Sequence, residues 1–277
     1  MGKKSELVSK SNSLVEASYR LSLVEQQIIL FSIARGREED VLLDASTPIT
    51  ISASDFAEMF GVDQKVVYAQ LKGAMDVLYE RSVLIHEIDR KTQKEKVTKS
   101  RWISTASYIN GTGQIQIIFA PKVIPFLTRP TREFTRYEIE QVSEMSSIYA
   151  IRLYELLKQY QRIGKRQIQV DELRQMFAME EGEYPRMFDF KKRVIDVAVT
   201  QINTYTNIRV GYQNVKDGRS VVGFIFKIEG AVQEEKSKKT RQPALTNAHI
   251  DAQKLALPGE TYDQVRARIR AGRAKKS

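Results

Sequence analysis

No cysteine occurs among the 277 residues, which excludes disulfides, thiolate zinc sites and cysteine nucleophiles together and suits a reducing compartment. Histidine is nearly as scarce. The two present, His86 and His249, stand in a strand-like run and in the C-terminal stretch, without the spacing of a metal pair, so His86 reads as an ordinary sheet residue. No P-loop and no glycine-rich dinucleotide motif is found. An enzyme that nicks DNA with a tyrosine needs two closely spaced histidines for its metal, and that pair is missing despite 12 tyrosines. The expectation is a protein with no catalytic residues, no metal and no cofactor. Also lacking is any run near the ~18 uninterrupted apolar residues of a membrane span. The opening Met1-Gly2-Lys3-Lys4-Ser5-Glu6 leads into polar sequence instead of the apolar core of a signal peptide. A soluble cytoplasmic protein with no membrane partner is expected.

What is present is a hydrophobic share of 42% and a net charge of +10, enough apolar residues for two ordinary domains and an excess of cations that suits a polyanionic partner. The charge is uneven. Residues 231–277 hold eleven Lys/Arg against five Asp/Glu, so the rest of the chain is only mildly basic and must recognise a partner through local patches. After Gly230 the apolar periodicity gives way to Lys, Gln, Glu, Ala and Arg, which reads as a flexible basic tail, with helical character at 262–271.

An internal duplication organises the remainder. Ile51–Phe60 lies over Ile168–Phe177 at a constant offset of 117, each copy reading as strand end, helix cap and short amphipathic helix. Ser52 with Asp55 makes an N-cap in the first copy and Gly61 stops its helix. A longer helical pattern follows in both, Val66–Arg81 and Asp189–Thr204, and then a β-branched run, Ser82–Ile85 and Asn207–Val210, at an offset of 125. The second copy therefore carries about eight extra residues between its helices, including Glu180–Pro185. Short helix, turn, longer helix and hairpin is the order of a winged helix. The fold class expected is α+β: two tandem winged-helix domains related by internal pseudo-symmetry, at residues 1–133 and 134–230, followed by the tail at 231–277.

The connecting segments fit this scheme. Ser13 with Glu16 and Ser22 with Glu25 are capping-box patterns opening two N-terminal helices. Ser146 or Ser147 starts a helix whose residues 148, 149, 153, 156, 157 and 160 form one apolar face. Ile103–Ile109 and Gln114–Phe119 flank the turn 110–113, and Asn207–Val215 and Arg219–Ile228 flank Lys216-Asp217-Gly218, the predicted wing of the second domain.

The sharpest functional signal is Arg186–Arg193. Asp189 is placed to cap the helix, Phe190, Val194, Val197, Ala198 and Ile202 face inward, and Lys191, Lys192 and Arg193 crowd the first turn. Cations there oppose the helix dipole at about 0.3–1 kcal/mol each, and a polyanion explains them better than stability does. Arg and Lys at the start of such a helix can donate to guanine edges and nearby phosphates in the major groove. Arg186, Lys191, Lys192 and Arg193 are the predicted DNA-binding residues, with Lys216 and Arg219 on the wing. In the first domain Gln64, Lys65, Lys72 and Arg81 are dispersed, and Val66, Val67, Leu71, Met75, Val77 and Leu78 make its second helix apolar all round, suited to packing. Lys96, Lys99, Arg101, Arg129, Arg132 and Arg136 are expected to follow the DNA backbone between the domains.

The chain resembles a known family on several segments: Ser11, Asn12, Leu14, Glu16, Ala17, Tyr19, Leu21 and Ser22; Ala57–Gly61; Ile124–Leu127; Tyr149, Ala150 and Arg152–Glu155; Met187 with Asp189–Arg193; and Ile202-Asn203. These resemble the iteron-binding plasmid replication initiators, built from two pseudo-symmetric winged-helix domains, over residues 7–228. The resemblance implies that the protein binds directly repeated double-stranded origin sites as a monomer, opens the duplex with a host initiator and helicase, and represses its own promoter as a homodimer through the first domain. It also makes the Arg186–Arg193 segment the major-groove reader. The 47-residue tail is outside the shared core. A dedicated winged-helix transcriptional repressor, binding a palindrome and never melting DNA, is the alternative.

Overall fold

The chain leaves its first strand directly into a helix, and the structure, a computed structural model, describes it over residues 6–38, 44–89, 91–109, 111–128 and 134–230. The basic tail with its stretch 262–271, the expected domain boundary at 133/134, and Arg129 and Arg132 fall outside or at the edge of the described residues. Strand β1 (Leu7–Ser11) is followed by α1 (Asn12–Glu16) and α2 (Leu23–Glu38). Because no linker separates β1 from α1, Ser11 and not Ser13 is the cap, its hydroxyl accepting from the Leu14 amide at 3.2 Å. The second capping box forms as expected: the Glu25 amide donates to Ser22 Oγ at 3.3 Å and the Ser22 amide to Glu25 Oε2 at 3.0 Å.

Next come β2 (Ile49–Ser52), α3 (Ala53–Phe60) and α4 (Val67–Glu80). Ser52 caps α3, and Gly61 closes it at φ 64°, a left-handed conformation that glycine adopts without strain. The hairpin β3 (Ser82–Ile88) and β4 (Glu95–Arg101) forms a separate two-stranded sheet, whereas β5 (Ile103–Ile109) and β6 (Gln114–Phe119) pair with each other and β6 pairs with β2. After α5 (Pro125–Thr128), β7 (Phe134–Glu138) returns to pair antiparallel with β1, and α6 (Glu140–Ser143) follows.

The second half repeats the plan with fewer additions. It runs α7 (Ile148–Lys158), β8 (Lys165–Gln169) and α8 (Val170–Met176). Then α9 (Met187–Phe190) continues through a π-helical turn, Lys191–Ile195, into α10 (Asp196–Tyr205), and β9 (Ile208–Asp217) and β10 (Ser220–Gly230) close the chain. Sheet orders β2-β6-β5 and β8-β10-β9 superpose the two halves strand for strand. This corrects one equivalence. Ser82–Ile85, matched to Asn207–Val210 by sequence offset, belongs to the inserted hairpin, and the counterpart of β9 is β5. Both hairpins of the first half are β-branched, so offset alone selected the nearer one. The wing turn also moves: Asp217 pairs with Ser220, leaving Gly218, at φ 57°, and Arg219 at the tip.

Helix α7 departs most from expectation. Ser147 caps it, accepting from the Ala150 amide at 3.4 Å, but in place of one apolar face every residue from Ala150 to Leu157 is buried. The helix lies against α1 of the first half and α10 of the second, so both sides need covering. Arg152 and Glu155 are inside this seam. Arg152 Nη1 donates to the Val15 carbonyl at 2.9 Å, and Nη2 to those of Ala17 at 2.8 Å and Met176 at 3.0 Å. It also donates to the Tyr19 hydroxyl and stacks 3.8 Å from that ring's centroid. Glu155 pairs with Lys10 of β1 at 2.6 Å and accepts from the Tyr137 hydroxyl of β7 at 2.6 Å. Burial, reinforced by the Glu155 charge, pushes the Tyr137 phenol well above its usual value.

Removing one member of a buried ionic group leaves its partners unpaired. Arg152→Ala is therefore expected to cost about 3–5 kcal/mol in urea unfolding, and Arg152→Lys to recover only part of it, because an ammonium cannot span three carbonyls as the planar fork does. A loss below about 1 kcal/mol, the scale of an exposed pair, would mean that the seam does not depend on this residue.

Candidate nucleic-acid interface

The sequence Met187–Tyr205 makes one long helix with its inner face set by Phe190, Val194, Ile195, Ala198 and Ile202, all fully buried. Ile195 takes the inward position expected for Val197, which is 36% exposed. The cause is the π-helical turn: the Asp196 amide reaches back five residues to the Lys191 carbonyl, and the extra residue shifts the apolar phase by one position. The helix also begins earlier than expected. Arg186 is the N-cap residue, and Asp189 sits at the third helical position instead of capping. Lys191, Lys192 and Arg193 are consequently in the second turn, where the dipole penalty has largely fallen off.

Asp189 acts as a spacer between two arginines. Its carboxylate accepts from Arg186 Nε at 2.8 Å and lies 4.0 Å from Arg193 Nε. The arginine side chains are 81% and 68% exposed, so the carboxylate holds Arg186 by a hydrogen bond and lies near Arg193 without removing either from solvent. Lys192 is exposed beside the Phe188 ring, and Lys191 lies 5.5 Å from the ring centroid of Tyr212 on β9. The Tyr212 hydroxyl donates to Asp196 at 2.5 Å, which packs the wing hairpin on the helix; desolvation, together with Asp196, raises that phenol's pKa. Strand alternation puts Lys216 on the same face of β9 as Tyr212. Lys216 and the tip residue Arg219 are both exposed. Five of the six predicted residues thus stand exposed around one helix and its wing, and Lys191 is half-buried against that wing.

The turn that aims this helix is held from the other half of the protein. Glu183, in the eight-residue expansion between α8 and α9, accepts from Arg20 at 2.8 Å, from the Tyr149 hydroxyl at 2.9 Å and from the Glu180 amide at 3.2 Å. Arg174 donates to the carbonyls of Glu183 at 2.7 Å and Tyr184 at 2.6 Å while stacking 4.7 Å from the Phe190 centroid. Ser18 Oγ donates to the Gln175 carbonyl at 2.6 Å. Sequence reasoning missed Arg20, Arg174 and Glu183. The available signal was an acidic insertion in need of a cation, but Arg20 is 163 positions away.

The corresponding helix of the first half is differently equipped. In α4, Val67, Leu71, Met75 and Leu78 are buried, while Val77 and the cap residue Val66 are 44% and 43% exposed, so apolar side chains stand on its outer side as well. Arg81 is occupied by Glu25 at 3.0 Å, Gln64 donates to the Ser54 carbonyl, and Lys72 lies against the Tyr108 ring. On β4, Arg101 pairs with Glu80 at 2.8 Å, while Lys96 and Lys99 are exposed; Arg136 lies on β7. His86 faces Glu95 at 2.7 Å across the β3–β4 hairpin. Among the described residues no cluster of His, Cys, Asp or Glu could hold a metal, and no helix is long and apolar enough to cross a membrane.

Two family models match consecutive parts of the chain: "Initiator Replication protein, WH1" over residues 7–158 and "Initiator Rep protein, WH2" over residues 169–228. An uncharacterized 27.6 kDa protein of Escherichia coli is 24% identical over 229 residues, 79% of this chain and 94% of that protein. A replication initiation protein of Escherichia coli is 26% identical over 230 residues, 80% of this chain and 69% of its own length. Among solved structures, the Pi initiator protein in complex with iteron DNA superposes with a TM-score of 0.63 at 20% identity, covering 83% of this chain and 99% of its own. At that identity the likeness establishes the shared two-winged-helix fold.

The Glu183 junction gives the fold a pH dependence of definite sign. Desolvation pushes the Glu183 carboxyl up, but hydrogen bonds from Tyr149, the Glu180 amide and Arg20 outweigh it and hold it below the usual carboxylate range. A depressed folded-state pKa stabilises fully above the unfolded value of about 4.3 and is lost as pH falls through the folded value. Urea stability measured from about pH 6 downward should therefore fall less steeply below about pH 4.5 in Glu183→Gln than in the wild type. Parallel curves would contradict the role assigned to this carboxylate.

Proposed function

The chain belongs to the initiator replication protein family, and from that premise we propose that it starts replication of a bacterial plasmid by binding directly repeated sites in double-stranded origin DNA. The helix Met187–Tyr205 is the principal reader: Arg186, Lys192 and Arg193 meet the major groove, and Lys191, Lys216 and Arg219 contact phosphates from the helix and the wing. The observation that carries this reading is the pair of highly exposed arginines flanking one carboxylate on a helix whose inner face is wholly buried. Nothing in the packing of the second half uses those guanidiniums, and bidentate arginine is the commonest reader of guanine. The protein acts in the cytoplasm by binding and not by catalysis, handing the opened duplex to a host initiator and helicase.

Promoter repression by a dimer is the second activity proposed, with the first half as the interface. Supporting it is the β3–β4 hairpin, where Ile88 and Val97 are 62% and 53% exposed on one face and no strand pairs with the outer edge of β4 among the described residues. An apolar, open strand edge invites pairing with another chain.

Two measurements check these readings. Arg193→Ala should lose about 1–3 kcal/mol of specific affinity, while random DNA is bound nearly as before; a folded Lys191→Ala, Lys192→Ala, Arg193→Ala triple variant that binds its selected site like the wild type would refute the reader assignment. In sedimentation of the full chain, Ile88→Asp with Val97→Asp should shift the dimer toward monomer by about tenfold or more, the effect of a disrupted interface core. An unchanged equilibrium would place the dimer contact elsewhere.

A further inference from the structure

Phe188 is the most exposed large apolar side chain among the described residues, at 70%. It is the second residue of α9, directly following Met187 and flanked by the arginine–carboxylate group of Arg186 and Asp189. The fold makes no demand for a ring there. Phe190, two positions on, fills the core against Phe224 with centroids 6.3 Å apart, and a residue two positions away along a helix points to the other side. Instead the Phe188 ring lies on the outer surface with Lys192 Nζ 5.7 Å from its centroid, so a basic, water-facing helix start presents one large apolar group among its cations.

We propose that Phe188 reads a thymine in the bound duplex, its ring meeting the thymine C5-methyl group in the major groove. This rests on the assignment of Met187–Tyr205 as the reader helix and deepens it. The physical argument is complementarity. The thymine methyl is the one apolar feature that a base pair presents in the major groove, and phenylalanine is among the side chains that contact it. Phosphates and guanine edges satisfy the neighbouring cations but leave a phenyl ring in water, whereas a methyl group against the ring removes apolar surface from both. Insertion between base pairs is the other use DNA-binding proteins make of an exposed ring, but those wedges enter the minor groove, and a ring on the first turn of a winged-helix reader faces the major one. Lys192, held over the ring, keeps it at the start of the helix beside the two arginines, so apolar and polar readout fall on adjacent base pairs.

The test uses the full-length protein and the duplex it selects from a random pool. Each thymine of that duplex is replaced singly by deoxyuridine, which deletes only the methyl group. Wild-type affinity should fall about three- to fivefold at one or two adjacent positions, the effect of losing one buried methyl. Phe188→Ala should bind the unmodified duplex that much more weakly and be insensitive to uridine there, whereas Phe188→Leu should keep part of the sensitivity. Uniform wild-type affinity across all uridine duplexes, or the same sensitivity in Phe188→Ala, would overturn the proposal. Failure of the underlying reading is seen separately, because Arg193→Ala would then select and bind the duplex like the wild type whatever the uridine series gives. Phe188 is outside the core, and circular dichroism of both variants checks that they remain folded.

Discussion

A guanidinium sealed between two domains must find acceptors for its donors on both, since unpaired buried charge is among the costliest features a fold can carry. Arg152 meets that requirement with carbonyls of Val15 and Ala17 from one half and Met176 from the other. The consequence is positional. The segment following α1 is held against α7, and that segment carries Ser18 and Arg20 to the second helix-turn-helix, where they bind Gln175 and Glu183. The turn that precedes the helix Met187–Tyr205 is therefore tied to residues more than 150 positions earlier. Lys10, Glu155 and Tyr137 fix β1 and β7 to the same helix. The halves resemble each other in topology, but α7 is a shared seam and belongs to the packing of both.

Charge is used in opposite ways on the two sides of this arrangement. Within the seam, charged groups are buried and held by several partners each, although Arg152 Nε and Glu155 Oε2 have no hydrogen-bond partner. On the helix Met187–Tyr205, Asp189 holds Arg186 and lies near Arg193 while leaving both mostly in solvent, and the π-helical turn lets Val194 and Ile195 both point inward. The first half's second helix instead has Arg81 tied to Glu25 and Lys72 laid on Tyr108. Two copies of one topology thus carry their cations differently, exposed on the helix of the second half and tied to partners on that of the first.

Much of this was legible in the sequence, for identifiable reasons. The duplication, the caps at Ser22, Ser52 and Ser147, the hairpins β5–β6 and β9–β10 and the basic segment 186–193 are local features governed by periodicity and short-range hydrogen bonding. What escaped depended on distance. Arg152 and Glu155 looked like the polar side of an amphipathic helix, because nothing local indicates that a second domain covers it. Arg20 and Glu183 were invisible as partners for the same reason. The inserted β3–β4 hairpin and the repeat's own strand have the same β-branched character, so sequence alone does not separate them. The inward place of Ile195 is not legible from a 3.6-residue period, because a π-helical turn breaks that period.

On the proposed function, one chain, with its two winged helices held together at the seam, occupies each of several directly repeated sites. Hydroxyl-radical footprinting of the full-length protein on duplex DNA carrying its selected sites tests this most directly. Identical protected tracts repeating in one orientation are expected, each spanning successive turns of about 10–10.5 base pairs. A single footprint with two-fold symmetry about its centre would contradict it, and would make the protein a repressor of its own gene with no initiator activity.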